Sequence, residues 1–436
     1  MLFCDASYIS FYILNLDRFY ISENRYGSFI TQMFPLIAGK LQLPLSWVTL
    51  LYSISFNLFY LTVAALVMFR FKNTLLALLM SFYYILFVTD TYFWTNNEIH
   101  QAVGWMFLFF AFVLHFKKHP YNWWLHMLFF IVLAVLAIYT HPLILLVLPL
   151  LWFFFMSDKD SRPYNLPQLA ILSLLIIGIF GVKFLMMKEG SYDKGKIPGL
   201  TLQGILRTFT SPMAGIFVKK LITHYYFVPI LFIWGMYSAF RRKKFLQMAG
   251  VSAFMLGYFI AMCLTFDSFI PFYHESEWMP FSIIAAAPFV YYTLPRLKPA
   301  TATIVIAVIF TVRLISIGAA GEKFTERKNW LYATLGQMKE QGITKGYIYT
   351  GDPATDNLIQ MPWGLPTESM IASALQGDRP CLTFFADTPE KVAERAGQVG
   401  NWGMVASFGI HDLQFLNNRY FVIDTSSPYQ QIMLKK

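Results

Sequence analysis

Residues 73 to 116 read NTLLALLMSFYYILFVTDTYFWTNNEIHQAVGWMFLFFAFVLHF, two apolar runs on either side of the polar knot WTNNEIHQ at 94 to 101. Each run is continuous rather than alternating, which favours a helix in apolar surroundings over a strand with one wet face. The rest of the chain repeats the pattern. Over 436 residues it is 57% hydrophobic, 18% aromatic and 13% charged, with a mean hydropathy of +0.51, far above an ordinary soluble domain. A hydrocarbon core about 30 Å thick needs roughly 20 mostly apolar residues per helix, and in lipid only helices or closed barrels satisfy every backbone group. The runs do not alternate as barrel strands do. The sequence is that of an all-α polytopic membrane protein.

Spans are predicted near 47–69, 74–90, 99–116, 123–140, 142–157, 168–187, 225–240, 245–265, 278–295 and 301–318, about ten crossings. Alternate connections carry the basic residues: Arg70 and Lys72, Lys117 and Lys118, Lys159 and Arg162, Arg241 to Lys244, Arg296 and Lys298. The positive-inside bias assigns those loops to the cytoplasm. The opposite set includes 91–98 and 266–277, with Glu98, Asp267, Glu275 and Glu277 and no Lys or Arg. Residues 1–45 then fall outside the membrane with no span before them, so an additional helix upstream of Met1 is expected. The domain division is 1–320, a membrane domain with outer loops 1–45 and 188–224, followed by 321–436, a small extracytoplasmic α/β domain. In that tail GYIYTG (346–351) and RYFVID (419–424) read as strands, and ATLGQMKEQG, SMIASALQG and PEKVAERAG as helices.

Cys4, Cys263 and Cys381 are too few and scattered for a disulfide framework or a thiolate metal site. The net charge of +10 is explained by topology and anionic lipid, without nucleic acid. No disulfide pattern and no clear glycosylation sequon marks the outer loops, which favours a bacterial inner membrane.

Titratable residues collect on the predicted outer side. They are Asp5, Asp17, Arg18, Glu23 and Arg25 in the first segment, Glu98 and His100, His141 in the turn THP, Lys194, Lys196, Arg207, Lys219, Lys220 and His224 in the loop 188–224, and His274, Glu275 and Glu277 in FYHESEW. Singly, each reads most simply as a solvated helix cap. Together, drawn from separated segments to one interface, they read as a site. Lys183 and Arg313 lie near the outer ends of apolar runs, where a cation either snorkels to headgroups or holds an anion such as a lipid phosphate. TLQGILRTF and AGIFVKKLITHYY in the long loop suit helices in the interface plane.

This layout resembles the GT-C glycosyltransferases, among them protein O-mannosyltransferases and the aminoarabinose transferases that act on lipid A. The shared features are an acidic first outer loop, a membrane-edge Glu and His, the THP turn, interfacial helices in a long outer loop and an outer carboxy-terminal domain. The resemblance implies a polyprenyl-phosphate-linked sugar donor and a lipid, glycan or protein acceptor. It places the catalytic carboxylate at Asp5, although Ala6 and Ser7 follow where that family often has a second acid.

A polyprenyl phosphate is already a good leaving group, so such a protein must deprotonate the acceptor and neutralise the departing phosphate. Asp5 is the expected base and Glu98 the second candidate. Lys183, Arg313 or Arg207 would receive the phosphate, while His100, His141, His274 and Glu275 would bind and orient substrate. No cofactor is expected. A divalent metal is compatible with mixed His and Glu, but these spacings form no metal signature. Two other classes remain open: a lipid-linked glycan polymerase or ligase, using the basic loop for a pyrophosphate-linked donor, and a transporter, for which an internal repeat and midplane polar breaks would be needed.

Overall fold

The computed structural model describes residues 3–94, 97–118, 120, 122–159, 161–195, 201–265, 270–406 and 409–435. Lys196 and Asp267, both counted above among the outer charges, lie outside them. The chain divides into two compact units: Ile21–Ser28 with Leu58–Ala319, and Met1–Tyr20 with Phe29–Asn57 and Ala320–Lys436.

The fold is mainly helical, and among the described residues five helices are long and apolar enough to cross a membrane: Leu45–Arg70, Glu98–His115, Leu166–Leu185, Phe245–Thr265 and Pro299–Gln341. A sixth is obtained if Leu202–Thr223 and Phe227–Arg241, bent by 82°, act as one span. Thr74–Tyr83, Trp123–Ile138 and Ile144–Met156 are apolar but shorter.

Glu98–His115 is the inner helix of the larger unit. In its apolar window 78% of residues are buried within the protein, against 17% for Leu166–Leu185, so the second helix is little covered by the rest of the chain. Asn97 starts the inner helix by accepting the Ile99 N–H at 3.0 Å, an N-cap that answers one of the orphan donors of the first turn. Along its length Phe59 packs on Trp105 with ring centroids 4.9 Å apart, and Phe109 packs on Phe130 at the same separation. Trp105 Nε1 donates to the Gly27 carbonyl at 3.0 Å, which fixes the 21–28 segment to this helix.

Two helices approach closely at Gly235. Phe227–Arg241 crosses Pro280–Pro288 and the π-helical turn Phe289–Thr293 so tightly that a Cβ on Gly235 would lie 2.4 Å from the Phe289 nitrogen. Small residues permit such contact where lipid provides no hydrophobic drive. The Thr293 hydroxyl donates to Ser238 Oγ at 2.8 Å beside this contact.

In the other unit, Lys345–Tyr349 pairs in parallel with Thr383–Asp387 on one side and Gln430–Gln431 on the other. Pro353–Ile359 and Leu365–Leu375 make the crossover that parallel strands require. A separate antiparallel pair joins Gly403–Ala406 to Gly409–Asp412. Phe11, Val48, Met370, Met404 and Phe421 share a buried cluster. The 419–424 stretch expected as a strand lies outside the sheets, although the Val422 carbonyl accepts the Cys381 N–H at 2.6 Å.

Gly235→Ala is expected to destabilise the protein by about 1–3 kcal/mol, because the added methyl meets backbone that cannot turn aside. Gly178→Ala, where nothing lies within 4 Å of the added carbon, is expected to leave the thermal unfolding midpoint unchanged or slightly raised. Melting curves in detergent check both.

Candidate functional site

The turn before Arg25 is built from two non-glycine residues in the left-handed region, Glu23 (φ 52°) and Asn24 (φ 55°), a conformation that L-residues adopt only when something holds it. Lys183 holds it. Its ammonium, on a side chain that is 1% exposed, donates to the Glu23 and Asn24 carbonyls at 3.1 and 3.3 Å and lies 5.2 Å from the centre of the Tyr139 ring. Glu23 also accepts the Tyr192 N–H at 3.3 Å.

The turn delivers Arg25 between two acids. Its guanidinium binds Asp193 through Nη2 to Oδ1 at 2.5 Å and Nε to Oδ2 at 3.4 Å, and donates from Nη1 to Glu98 Oε2. Burial alone lowers the pKa of Arg25, but Glu98 and then Asp193 overcome it and hold the guanidinium above its ordinary value. Glu98 opens the inner helix, where a negative charge also complements the positive helix end. Among the described residues, no hydrogen bond reaches Glu98 Oε1. His141 adjoins this group in the turn between two helices. Burial first, then Arg25, Lys183 and His100, push its imidazole well below the usual range, so it is neutral. Its Nδ1 accepts the Leu143 N–H at 3.3 Å. In the first turn of the inner helix, His100 Nδ1 lies 2.9 Å from the Tyr83 hydroxyl, and its carbonyl accepts from Tyr84 at 3.0 Å.

A second group grips the stretch 85–90. Arg313 donates to the carbonyls of Ile85 at 3.0 Å and of Val88, and reaches the His224 carbonyl at 2.8 Å, with its guanidinium 5.5 Å from the Tyr225 ring centre. Glu275 takes the other polarity of the same stretch, accepting the N–H groups of Thr89 and, at 3.1 Å, of Asp90. Burial, then the charge of Asp90, push the Glu275 carboxyl up to about 8, against the opposing pull of those two N–H donors and of Tyr225. His274 Nδ1 lies 2.8 Å from the Ile270 nitrogen.

The structure therefore gathers Glu98, His141 and Lys183 around Arg25, with His100 acting on His141 and bonded to Tyr83, and Arg313 and Glu275 around the 85–90 stretch. Arg313 and Lys183 each direct their donors to backbone carbonyls. Arg207 is exposed on Leu202–Thr208, and no hydrogen bond or ion pair of its side chain joins either group among the described residues. Asp5 belongs to the other unit, half-buried in the first turn of Asp5–Leu16. Sequence reasoning missed Asp193, an acid between basic neighbours in a polar loop, and gave Arg25 no role. Among the described residues no group of three or more His, Cys, Asp or Glu side chains is placed to hold a metal ion.

No protein-family model, curated protein or solved structure matches the chain.

Removing Arg25 takes from Glu98 and Asp193 the guanidinium that binds both, so Arg25→Gln is expected to cost about 3–5 kcal/mol. Glu98→Gln, which leaves Arg25 bound to Asp193, is expected to cost less; chemical unfolding of both variants ranks them. Glu275 supplies a pH test. Its folded state binds the proton more tightly than the unfolded one between pH 4.5 and about 8, so its contribution to stability is complete at the acid end and is lost as pH rises through that window. Relative to wild type, Glu275→Gln is expected to gain stability progressively over the same range, a trend read from paired melting curves.

Proposed function

We propose that this protein is an integral membrane glycosyltransferase that moves a sugar from a polyprenyl-phosphate donor to an acceptor at the extracytoplasmic face. The proposal includes the finer topology read from the sequence: about ten crossings, an outward site, a carboxy-terminal domain on the same side, and a bacterial inner membrane.

The observation that carries the reading is the state of Glu98. One carboxylate oxygen is engaged by Arg25 and the other is unshared, which orients the group while leaving an acceptor for a proton. In the reaction the acceptor hydroxyl or amine loses its proton to Glu98 as its heteroatom bonds to the anomeric carbon. The bond from that carbon to the phosphate oxygen breaks, and its electron pair leaves on the polyprenyl phosphate. The added negative charge on that leaving group is met by the Arg25 and Lys183 cations. Asp193 then acts as the positioning residue that keeps Arg25 in place.

Membranes containing the full chain are to be incubated with a panel of labelled polyprenyl-phosphate sugars, and label transferred to lipid, glycan and protein fractions counted. Transfer from at least one donor is expected, falling about 10²–10⁴-fold in Glu98→Gln at equal inserted protein. Absence of transfer from every donor, or full activity in Glu98→Gln, overturns the reading.

A further inference from the structure

Three of the connections that the charge bias assigns to the cytoplasm, 157–165, 241–244 and 294–298, contribute side chains to one cavity of about 390 Å³. Arg242, Lys244 and Arg296 line it, with Asp158 as its carboxylate and Ser161, Tyr291 and Tyr292 as its hydroxyl-bearing residues. Asp158 accepts from Lys244 at 2.8 Å and its charge also acts on Arg242. Among the described residues neither Arg242 nor Arg296 is within ion-pair distance of a carboxylate.

Cations at this end of the helices have an ordinary explanation, since Ile144–Met156 and Phe227–Arg241 both finish here and helix carboxy-termini favour positive charge. That explanation does not cover two buried polar atoms. Arg242 Nε and the Tyr291 hydroxyl have no hydrogen-bond partner among the described residues, a condition that buried groups rarely tolerate. The Arg242 guanidinium lies 5.8 Å from the Tyr292 ring centre. Burial, and then the neighbouring Arg296, lower its pKa against the opposing pull of Tyr292 and Asp158, as expected where like charges converge. Tyr291 and Tyr292 are both presented by the π-helical turn Phe289–Thr293, a local widening often found at functional positions.

An anion with several acceptor oxygens would satisfy both orphan donors and separate the arginines. A planar guanidinium fork matches phosphate oxygens, and the phenol adds a directed O–H. We propose that this cavity binds a phosphate group, as a phosphomonoester or phosphodiester, with Arg242 and Arg296 neutralising it and Tyr291 donating to it. The site is independent of the transferase reading, because it uses none of the residues around Arg25.

The phosphate has two sources, an anionic phospholipid headgroup or a soluble phosphate. The full chain is to be purified into phosphatidylcholine nanodiscs in two arms, one containing phosphatidylglycerol and one receiving inorganic phosphate. Lipid retention is read by native mass spectrometry and phosphate binding by the thermal midpoint. Ligand retention or stabilisation is expected in at least one arm, weakened about tenfold or more in the Arg242→Gln/Arg296→Gln double variant. It is expected to weaken several-fold in Tyr291→Phe, whose lost hydroxyl has no internal partner, so that its fold is kept even if the double variant does not fold. A response confined to phosphatidylglycerol identifies a headgroup, and a response to inorganic phosphate identifies a soluble ligand; either supports the site. No response of the wild type in either arm, or an undiminished response in Tyr291→Phe, overturns it.

Discussion

A charge or an unpaired backbone group in apolar surroundings has no water to turn to, and leaving it unmatched costs from about 1–3 kcal/mol for a polar group to several for an ion. The larger unit is organised around that constraint. Arg25 is placed between Glu98 and Asp193, Lys183 on the carbonyls of residues 23 and 24, and Arg313 and Glu275 on opposite polarities of residues 85 to 90. Shape complementarity in an all-apolar core permits many registers. Directed donors and acceptors select one, which is why irregular segments such as 21–28 and 85–90 are held between smooth helices.

This division of labour also explains what could be read in advance. Glu98, His100, Lys183 and Arg313 stand out in the sequence because a titratable residue beside an apolar run is conspicuous, and the polar knot at 94–101 announced its own importance. Their partners were not legible. Lys183 and Arg313 donate to backbone carbonyls, which every residue possesses and no residue type advertises, so a reading based on side chains could not name them. Asp193 escaped notice for the opposite reason, since an acid in a polar loop is unremarkable until the chain buries it.

The helices were legible as apolar runs, but their ends were not. The run at 74–90 supports a helix only to Tyr83, because the carbonyls of Ile85 and Val88 are claimed by Arg313 and the N–H groups of Thr89 and Asp90 by Glu275, which replaces the helical ladder with side-chain contacts. The apolar run near 301–318 lies within a helix that continues from Pro299 to Gln341, because polar residues of good helix propensity follow and no proline or glycine pair interrupts them. At RYFVID the alternation resembled a strand, yet its large residues Tyr420, Phe421 and Ile423 are buried in a cluster with helical neighbours such as Met370 and Phe11. Alternation reports two environments, and it does not specify that a sheet creates them.

The attachment of Lys183 to the 23–24 turn has a consequence for biogenesis. The carbonyls that receive this ammonium belong to a segment synthesised some 160 residues earlier, so they are already made when the helix Leu166–Leu185 emerges from the ribosome. That helix therefore enters the bilayer with a cation whose docking site precedes it, whereas the inner helix enters with Glu98 before Asp193, its fellow ligand of Arg25, has been translated. The order of residues along the chain thus makes Glu98 available to Arg25 before Asp193 has been translated.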